Sequence, residues 1–252
     1  PGAGSDAGNV RTSAVLQDGY YVLNGSKIFI TNAGPAEIYI VIGNLRPDRG
    51  ARGMTAFIFE TGYEGFTIGK NEKKMAFPSL PNRELIFQDA KTPAENVLAG
   101  EKRGFRVAMQ TLDVGRIGMG IGAVGVAEAA LKHALSYAKE RVQFGQPISA
   151  FQAIQVKLAD MATEIECARL LCLQAAWLKD TGKPFEKQAA MAKLFASEVA
   201  MRTTTQAVQV LGGYGYTKEF PVERLMREAK LFEIVEGTSE IQRLVIANHI
   251  LK

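Results

Sequence analysis

The stretch Glu101-Lys102-Arg103-Gly104-Phe105-Arg106-Val107-Ala108 marks the point at which this 252-residue chain changes character. Before it, short runs of β-branched and aromatic residues are separated by Gly, Pro, Asn and Asp, which is the pattern of strands and turns. After it, apolar residues recur three and four positions apart, which is the pattern of helices. The sequence therefore predicts two domains, at 1–100 and 101–252.

Residues 1–100 are predicted to form a small antiparallel β-sandwich or barrel, because several short strands with turns between them favour that architecture. The clearest signal is the dipeptide Asn24-Gly25 between the runs 20–23 and 26–30. Asn-Gly tolerates the two positive φ angles of a type I′ turn, so a hairpin turning there is predicted. Further strands are predicted at 38–42, 55–60, 66–68 and 84–87.

Residues 101–252 are predicted to form an up-down helical bundle, which makes the whole chain a two-domain α+β protein. Long helices are predicted at 105–141, 151–178 and 185–211, and shorter ones at 222–234 and 239–251. In the second helix, apolar residues that alternate three and four positions apart from Phe151 to Ala175 form one stripe, which predicts a face buried in the core. Ser239 with Gln242 fits a capping box and predicts the start of the last helix.

The composition excludes several classes of function. Thirty basic and 26 acidic residues leave a charge of +4, which suits an anionic ligand but is too small to predict nucleic-acid binding. Two cysteines and two histidines are scattered, so no metal site is predicted, and a reducing compartment is expected. No long uninterrupted apolar run is present, so no membrane span is expected.

The segment Glu233-Ile234-Val235-Glu236-Gly237-Thr238-Ser239-Glu240 is the most informative for chemistry. Glu236 precedes a predicted helix N-terminus and stands beside a glycine that permits a sharp turn. Flanking apolar residues can desolvate its carboxylate and raise the pKa toward the range of a general base, while the helix N-terminus opposes that rise. The alternative is that Glu236 only stabilises the helix end electrostatically.

Three further features each have a structural alternative. The segment 209–216 combines glycines with tyrosines and fits either a flat ligand or a glycine helix end. Arg141 with Phe144 and Gly145 fits either a phosphate and a ring or a helix C-terminus. Five glycines from Gly115 to Gly125 each cost about 1 kcal/mol in a helix, which fits either close approach of another backbone or a flat ligand, or tight helix–helix packing alone.

In this order, these segments resemble the acyl-CoA dehydrogenase family, and the resemblance covers the whole chain. Residues 1–6, 24–27 and 30–32 add to it, and 111–118 with 241–247 are similar to the short-chain, butyryl-CoA type. In that family an N-terminal helical domain precedes the β-domain. The resemblance therefore implies that the chain corresponds to the middle and C-terminal domains.

The resemblance implies a role for each matching residue. Glu236 is implied as the base, and relatives of the isovaleryl type carry their base at the position of Gly115 instead. FAD is the implied cofactor, part of it bound from a neighbouring subunit. The implied FAD contacts are Phe29, Thr31, Arg141, Phe144, Gln152, Gln209, Val210, Leu211, Gly212, Gly213, Thr238, Ser239 and Glu240. The implied substrate contacts are Ser5, Asp113, Arg116 and Gly237.

The implied reaction is α,β-dehydrogenation of a short-chain acyl-CoA to trans-2-enoyl-CoA, as in fatty acid β-oxidation. Glu236 would remove an α-proton while the β-hydrogen leaves as hydride to the flavin, and electron-transfer flavoprotein would accept the electrons. A homotetramer in a bacterial cytoplasm or the mitochondrial matrix is implied. The alternatives are an oxidase, an enoyl-CoA reductase, or a non-catalytic module that binds flavin or oligomerises.

Overall fold

The computed structural model describes residues 2–251, so Pro1 and Lys252 lie outside it, and with Pro1 the first residue of the family-like segment 1–6. The chain divides into two compact units after Thr111. The predicted domain boundary after residue 100 stays a prediction, because the long helix that begins at Gly104 continues past Thr111.

The first unit is built on one seven-stranded sheet with the strand order β5-β6-β2-β1-β3-β4-β7. Its strands are β1 (Ser13–Gln17), β2 (Tyr20–Thr31), β3 (Ile38–Asn44), β4 (Met54–Glu60), β5 (Phe66–Asn71), β6 (Asn82–Pro93) and β7 (Val97–Leu98). Neighbouring strands are antiparallel except β1 and β3, which pair in parallel at Ser13 and Asn44. The sheet is therefore mixed at that single pair.

An aromatic cluster forms the core of this unit. Phe59 on β4 contacts Phe87 on β6 at 5.3 Å and Phe66 on β5 at 5.7 Å between ring centroids. Because β4 is not a neighbour of β5 or β6 in the strand order, the sheet must curl so that distant strands pack against each other through the same face. All three rings are buried. This confirms the expected class of sandwich or barrel.

The predicted hairpin at Asn24-Gly25 is wrong. Residues 20–31 form one continuous strand, and the β2–β6 register shifts between Leu23 and Gly25, where the strand carries a bulge. A Cβ at Gly25 would lie 3.0 Å from the Cα of Thr12, so close packing accounts for this glycine. The hairpin turns instead at Asp18-Gly19, both with positive φ (48° and 83°), and joins β1 to β2.

The second unit is a helical bundle, as predicted. Its helices are α1 (Gly104–Glu140, which starts in the first unit), α2 (Gln152–Asp180), α3 (Glu186–Leu211), α4 (Val222–Phe232) and α5 (Ser239–Ile250). Two short strands, β8 (Val142–Gln143) and β9 (Gln146–Pro147), connect α1 to α2. Helix α3 packs against α2, α4 and α5, and its buried face is rich in alanine, which allows the helices to approach closely.

Helix α1 is long and apolar enough to cross a membrane when judged by length and composition alone. The sequence reasoning expected no such segment. A core helix of a globular domain passes the same test, and a third of the most apolar window is buried inside the protein. The same helix carries Asp113 and Arg116, which form an ion pair.

Candidate active site

The turn between α4 and α5 has a strained backbone. Glu236 has φ of 57° and Gly237 has φ of 91°, so two consecutive residues lie in the left-handed region. Glycine adopts this region readily, whereas a residue with a Cβ does so at a cost of about 1 kcal/mol or more. Thr238, and not the predicted Ser239, caps α5, and its hydroxyl accepts a hydrogen bond from the Ile241 N–H at 3.3 Å.

Side chains from three helices hold this turn through its carbonyl groups. The Gln242 amide on α5 donates to the carbonyl oxygens of Glu236 and Gly237 at 3.1 and 2.9 Å. The Lys193 ammonium on α3 donates to the Gly237 carbonyl at 2.8 Å, and Arg116 Nε on α1 donates to the Glu236 carbonyl at 3.5 Å. Gln242 and Lys193 are fully buried and Arg116 is nearly so. The turn is therefore held through its backbone carbonyl groups, and none of these hydrogen bonds uses the Glu236 carboxylate.

The Glu236 carboxylate lies against α1 at Gly115. A Cβ at Gly115 would lie 2.5 Å from Oε2 and 2.9 Å from Cδ, so any larger residue would force the carboxylate out of its present position. Oε2 is buried and has no hydrogen-bond partner among the described residues. A buried polar atom without a partner is costly, and such an atom needs an explanation. The resemblance places the alternative base of the isovaleryl type at Gly115, and that position lies beside the Glu236 carboxylate.

Two opposing effects act on the ionisation of Glu236. Burial raises the pKa of its carboxyl group above the ordinary value, while the positive charges of Arg116 and Lys193 lower that pKa. Desolvation is the larger effect, so the pKa is raised overall. A raised pKa makes a carboxylate a stronger base, and the two cations favour its ionised form.

The predicted substrate contacts are divided between the two units. Asp113 pairs with Arg116 at 2.6 Å, and burial raises the pKa of the Asp113 carboxyl group despite the arginine. Arg116 is therefore engaged on both sides, by Asp113 and by the Glu236 carbonyl. Gly237 belongs to the strained turn described above. Ser5 is exposed in the first unit.

A separate cleft of about 490 Å³ lies in the second unit at the C-terminal end of α3. Five predicted cofactor residues line it: Arg141, Val210, Leu211, Gly212 and Gly213. Tyr137 and Tyr214 also line it, and the Arg141 guanidinium lies 5.8 Å from the centroid of the Tyr214 ring. Arg141 forms no ion pair with any described residue, so its guanidinium is available to an anion.

The other predicted cofactor residues of this unit do not line that cleft. Phe144 is 94% exposed with φ of 52°, on the tight turn between β8 and β9. Gln152 and Gln209 are exposed at the start of α2 and near the end of α3. Thr238, Ser239 and Glu240 start α5, and the buried Ser239 hydroxyl has no partner among the described residues.

The first unit has its own cleft of about 810 Å³. Phe29 and Thr31 on β2 line it, together with Lys27 and the backbone of 2–4. Phe29 has φ of 59° and is 65% exposed as a residue, which is unusual for a large apolar residue inside a strand. Burial lowers the pKa of the Lys27 ammonium to about 8.

These features fit the binding of a large cofactor with phosphates and a flat ring system. An uncompensated arginine beside two exposed glycines suits a phosphate group. The exposed Phe29 and Phe144 rings suit contact with a planar group. The unpartnered Ser239 hydroxyl suits a polar group of a ligand. Each unit therefore presents side chains whose chemistry is compatible with part of an FAD molecule.

Sequence reasoning missed Lys193 and Gln242, the two buried donors that hold the turn. Lys193 does have a signal, because it interrupts the alanine-rich stripe Ala189, Ala190, Ala192 and Ala196 with a charge. Gln242 was assigned to a capping box, and its amide instead bonds to the carbonyls before the helix. Two tyrosines line the α3 cleft. The sequence pattern grouped Tyr214 with the neighbouring glycines, but it gave no indication of Tyr137 on α1.

Comparison with known proteins identifies the family. Residues 1–90 match the model of the acyl-CoA dehydrogenase middle domain, and residues 102–251 match that of the acyl-CoA dehydrogenase C-terminal domain. The chain belongs to the acyl-CoA dehydrogenase family, whose members are FAD-dependent. It spans 66% of the length of the first curated relatives it matches.

Individual relatives cover the whole chain. The solved butyryl-CoA dehydrogenase of Megasphaera elsdenii is 54% identical with a TM-score of 0.99, and 66% of that chain is covered. A structure described as the electron transferring flavoprotein of Acidaminococcus fermentans, from work on flavin-based electron bifurcation, is 52% identical with a TM-score of 0.99 and the same coverage. The acryloyl-CoA reductase (NADH) of Anaerotignum propionicum is 50% identical, and 64% of that protein is covered.

Proposed function

We propose that this chain carries the catalytic base of a short-chain acyl-CoA dehydrogenase, and that Glu236 removes the α-proton of the thioester substrate. The observation that carries the proposal is the half-buried Glu236 carboxylate, whose Oε2 is buried without a hydrogen-bond partner among the described residues and lies beside Gly115. Family membership supports the acyl-CoA substrate. The similarity to butyryl-CoA dehydrogenase supports a short acyl chain.

The chain's own residues supply proton removal and charge stabilisation. The raised pKa of Glu236 suits abstraction of a weakly acidic proton. The N–H of Glu236 donates no hydrogen bond within the described residues, so it is available to the thioester carbonyl, on which negative charge develops as the proton leaves. The side chains of Arg116, Lys193 and Gln242 hold the turn, and with it the carboxylate and the N–H group of Glu236.

FAD, when bound, supplies the acceptor for the substrate β-hydrogen. We assign Arg141, Phe144, Gln152 and 209–213 to the FAD of a neighbouring subunit, and Phe29, Thr31 and 238–240 to that of the same chain. We assign Ser5, Asp113, Arg116 and Gly237 to the acyl-CoA. A homotetramer without a membrane span and electron-transfer flavoprotein as the acceptor belong to the same proposal, the latter supported by the similarity to the A. fermentans structure.

The test is the replacement Glu236→Gln in the flavin-loaded enzyme. We expect butyryl-CoA to bleach the flavin anaerobically at least 100-fold more slowly, because the amide cannot accept the proton. Glu228→Gln is the matched control, since it neutralises a partly buried carboxylate on α4 whose partner Arg224 lies 3.7 Å away. Bleaching of the Glu236→Gln enzyme at a near-wild-type rate would reject the assignment.

A second candidate is the reverse direction, enoyl-CoA reduction. The 50% identity to an acryloyl-CoA reductase (NADH) favours it, because the same base can return a proton to the α-carbon. Oxidation of NADH that depends on added enoyl-CoA would support the reductase. Reduction of electron-transfer flavoprotein by butyryl-CoA, without such NADH oxidation, would support the dehydrogenase.

A further inference from the structure

Lys193 is a cation in the middle of a hydrophobic helix face. Its side chain is fully buried, and no carboxylate of the described residues lies within ion-pair distance of it. Its ammonium donates to the carbonyl oxygen of Gly237 at 2.8 Å. A lysine buried without a carboxylate partner is destabilising, because the charge loses its hydration.

The fold does not need this hydrogen bond to satisfy the turn. The Gln242 amide already donates to the same Gly237 carbonyl at 2.9 Å. The alanines around Lys193 on α3 show that an apolar residue suits this helix face. The ammonium therefore has a local cost that local packing and hydrogen bonding do not explain.

We propose that Lys193 is a positioning residue, whose ammonium fixes the strained turn carrying Glu236 and places a positive charge near that carboxylate. The inference rests on the proposed role of Glu236 as the base. Lys193 holds the carbonyl group of Gly237, the residue directly after Glu236, so the hydrogen bond fixes the backbone of the turn next to the carboxylate-bearing residue.

Other charged groups act in the same region and belong to every helix around it. Asp113 and Arg116 on α1 form an ion pair, and Arg116 also acts on Glu236. Burial, with a smaller contribution from Arg116, lowers the pKa of Lys193 to about 8, whereas Glu233 after α4, Glu236 in the turn and Glu240 on α5 favour its charged form. Lys193 thus remains largely protonated at neutral pH and loses its charge above about pH 8.

Two variants of the flavin-loaded enzyme separate the hydrogen bond from the charge. Lys193→Met removes both, and we expect kcat for the reaction with butyryl-CoA to fall roughly 10- to 100-fold, because a small displacement of a base has an effect of that order. Lys193→Gln keeps a donor without a charge, and we expect part of that loss to be restored. In both variants the acidic limb of the pH profile of kcat/KM must move to higher pH, because the charge that lowers the Glu236 pKa is gone.

Stability distinguishes positioning from a structural role. We expect the urea unfolding midpoint of Lys193→Met to be equal to or above that of the wild type, since a buried charge is removed and Gln242 still satisfies the carbonyl. Lys157→Met is the matched control: this lysine also links two helices, through the Gln206 side chain at 2.7 Å, but lies away from the turn. We expect the control to leave kcat and the acidic limb unchanged.

The coupling can also be read without turnover, from a ¹³C NMR titration of the Glu236 carboxyl group, assigned by its absence in Glu236→Gln. Its ionisation must move to higher pH in both Lys193 variants, whether or not Glu236 proves to be the base. An unshifted titration and an unshifted acidic limb in Lys193→Gln would overturn the proposal. So would a loss of activity in Lys193→Met that only follows a loss of folding stability. If Lys193→Met does not fold, Lys193→Gln decides alone.

Discussion

Gly115→Ala is a small change that acts directly on Glu236, the proposed base. The added methyl carbon would lie 2.5 Å from Glu236 Oε2, whereas ordinary contact begins at 3.4 Å, so the carboxylate must move by about 1 Å. A misplacement of that size can cost about 100-fold in rate, which corresponds to about 2.7 kcal/mol in the activation barrier. The methyl group meets the end of a flexible side chain, and alanine favours a helix by about 1 kcal/mol over glycine. We therefore expect activity to fall while stability holds.

The assay is stopped-flow bleaching of the flavin by butyryl-CoA, with urea unfolding followed by circular dichroism. Gly125→Ala is the control on the same helix, because nothing lies within 4 Å of a Cβ there. We expect it to add about 0.5–1 kcal/mol of stability and leave the rate unchanged. A Gly115→Ala enzyme that bleaches within about threefold of the wild type would refute the reasoning from this contact.

Two other outcomes follow from the same site and from the α3 cleft. Glu236→Gln should stabilise the protein at pH 7 but not at pH 3. Because the pKa of Glu236 is raised in the folded state, the wild-type protein loses stability as the pH rises from the ordinary carboxyl range through that folded-state pKa, and the glutamine variant does not. An equal gain in the free energy of unfolding at both pH values, measured with urea, would contradict this. Arg141→Ala should weaken FAD retention roughly 10- to 100-fold, measured as bound FAD after dialysis, whereas Arg202→Ala, which removes an arginine paired with Glu164 at 3.2 Å, should not.

The helical half could be predicted closely because its signals are local. Residues 151–178 were expected as a helix and Gln152–Asp180 is one, and the end of α3 before Gly212 was marked by the glycines themselves. The cap of α5 was misplaced by one residue, since Thr238 and Ser239 are both good caps and only the path of the preceding turn decides between them.

The strand half was predicted less well because pairing is not local. Asn24-Gly25 and Asp18-Gly19 are both suitable for a type I′ turn. The long partner strand β6 accepts 20–31 as one continuous strand, and Asn24 bonds across to Asp89 at 3.0 Å. Tertiary pairing therefore overrode the dipeptide preference, and strand β1 was missed altogether.

The site itself shows the same limit. The segment around Glu236 singled out this residue, and the family resemblance implied its role as a base. The contact with Gly115, however, joins positions 121 residues apart, and the bond from Lys193 spans 44. No pattern in the sequence of α1 or of α3 indicates that Gly115 and Lys193 contact the same turn. Only the bundle brings them together.

Three separate costs converge on this turn: a positive φ at a residue with a side chain, a buried carboxylate oxygen without a partner among the described residues, and a buried ammonium without a carboxylate partner. Each is destabilising by the general behaviour of such groups. Packing gains nothing from any of them, since an alanine-rich helix face surrounds Lys193 and glycine leaves Glu236 a gap. Stability therefore does not explain why these groups lie together. The proposed role of Glu236 accounts for these three costs, because a base must be desolvated, ionised and held rigidly.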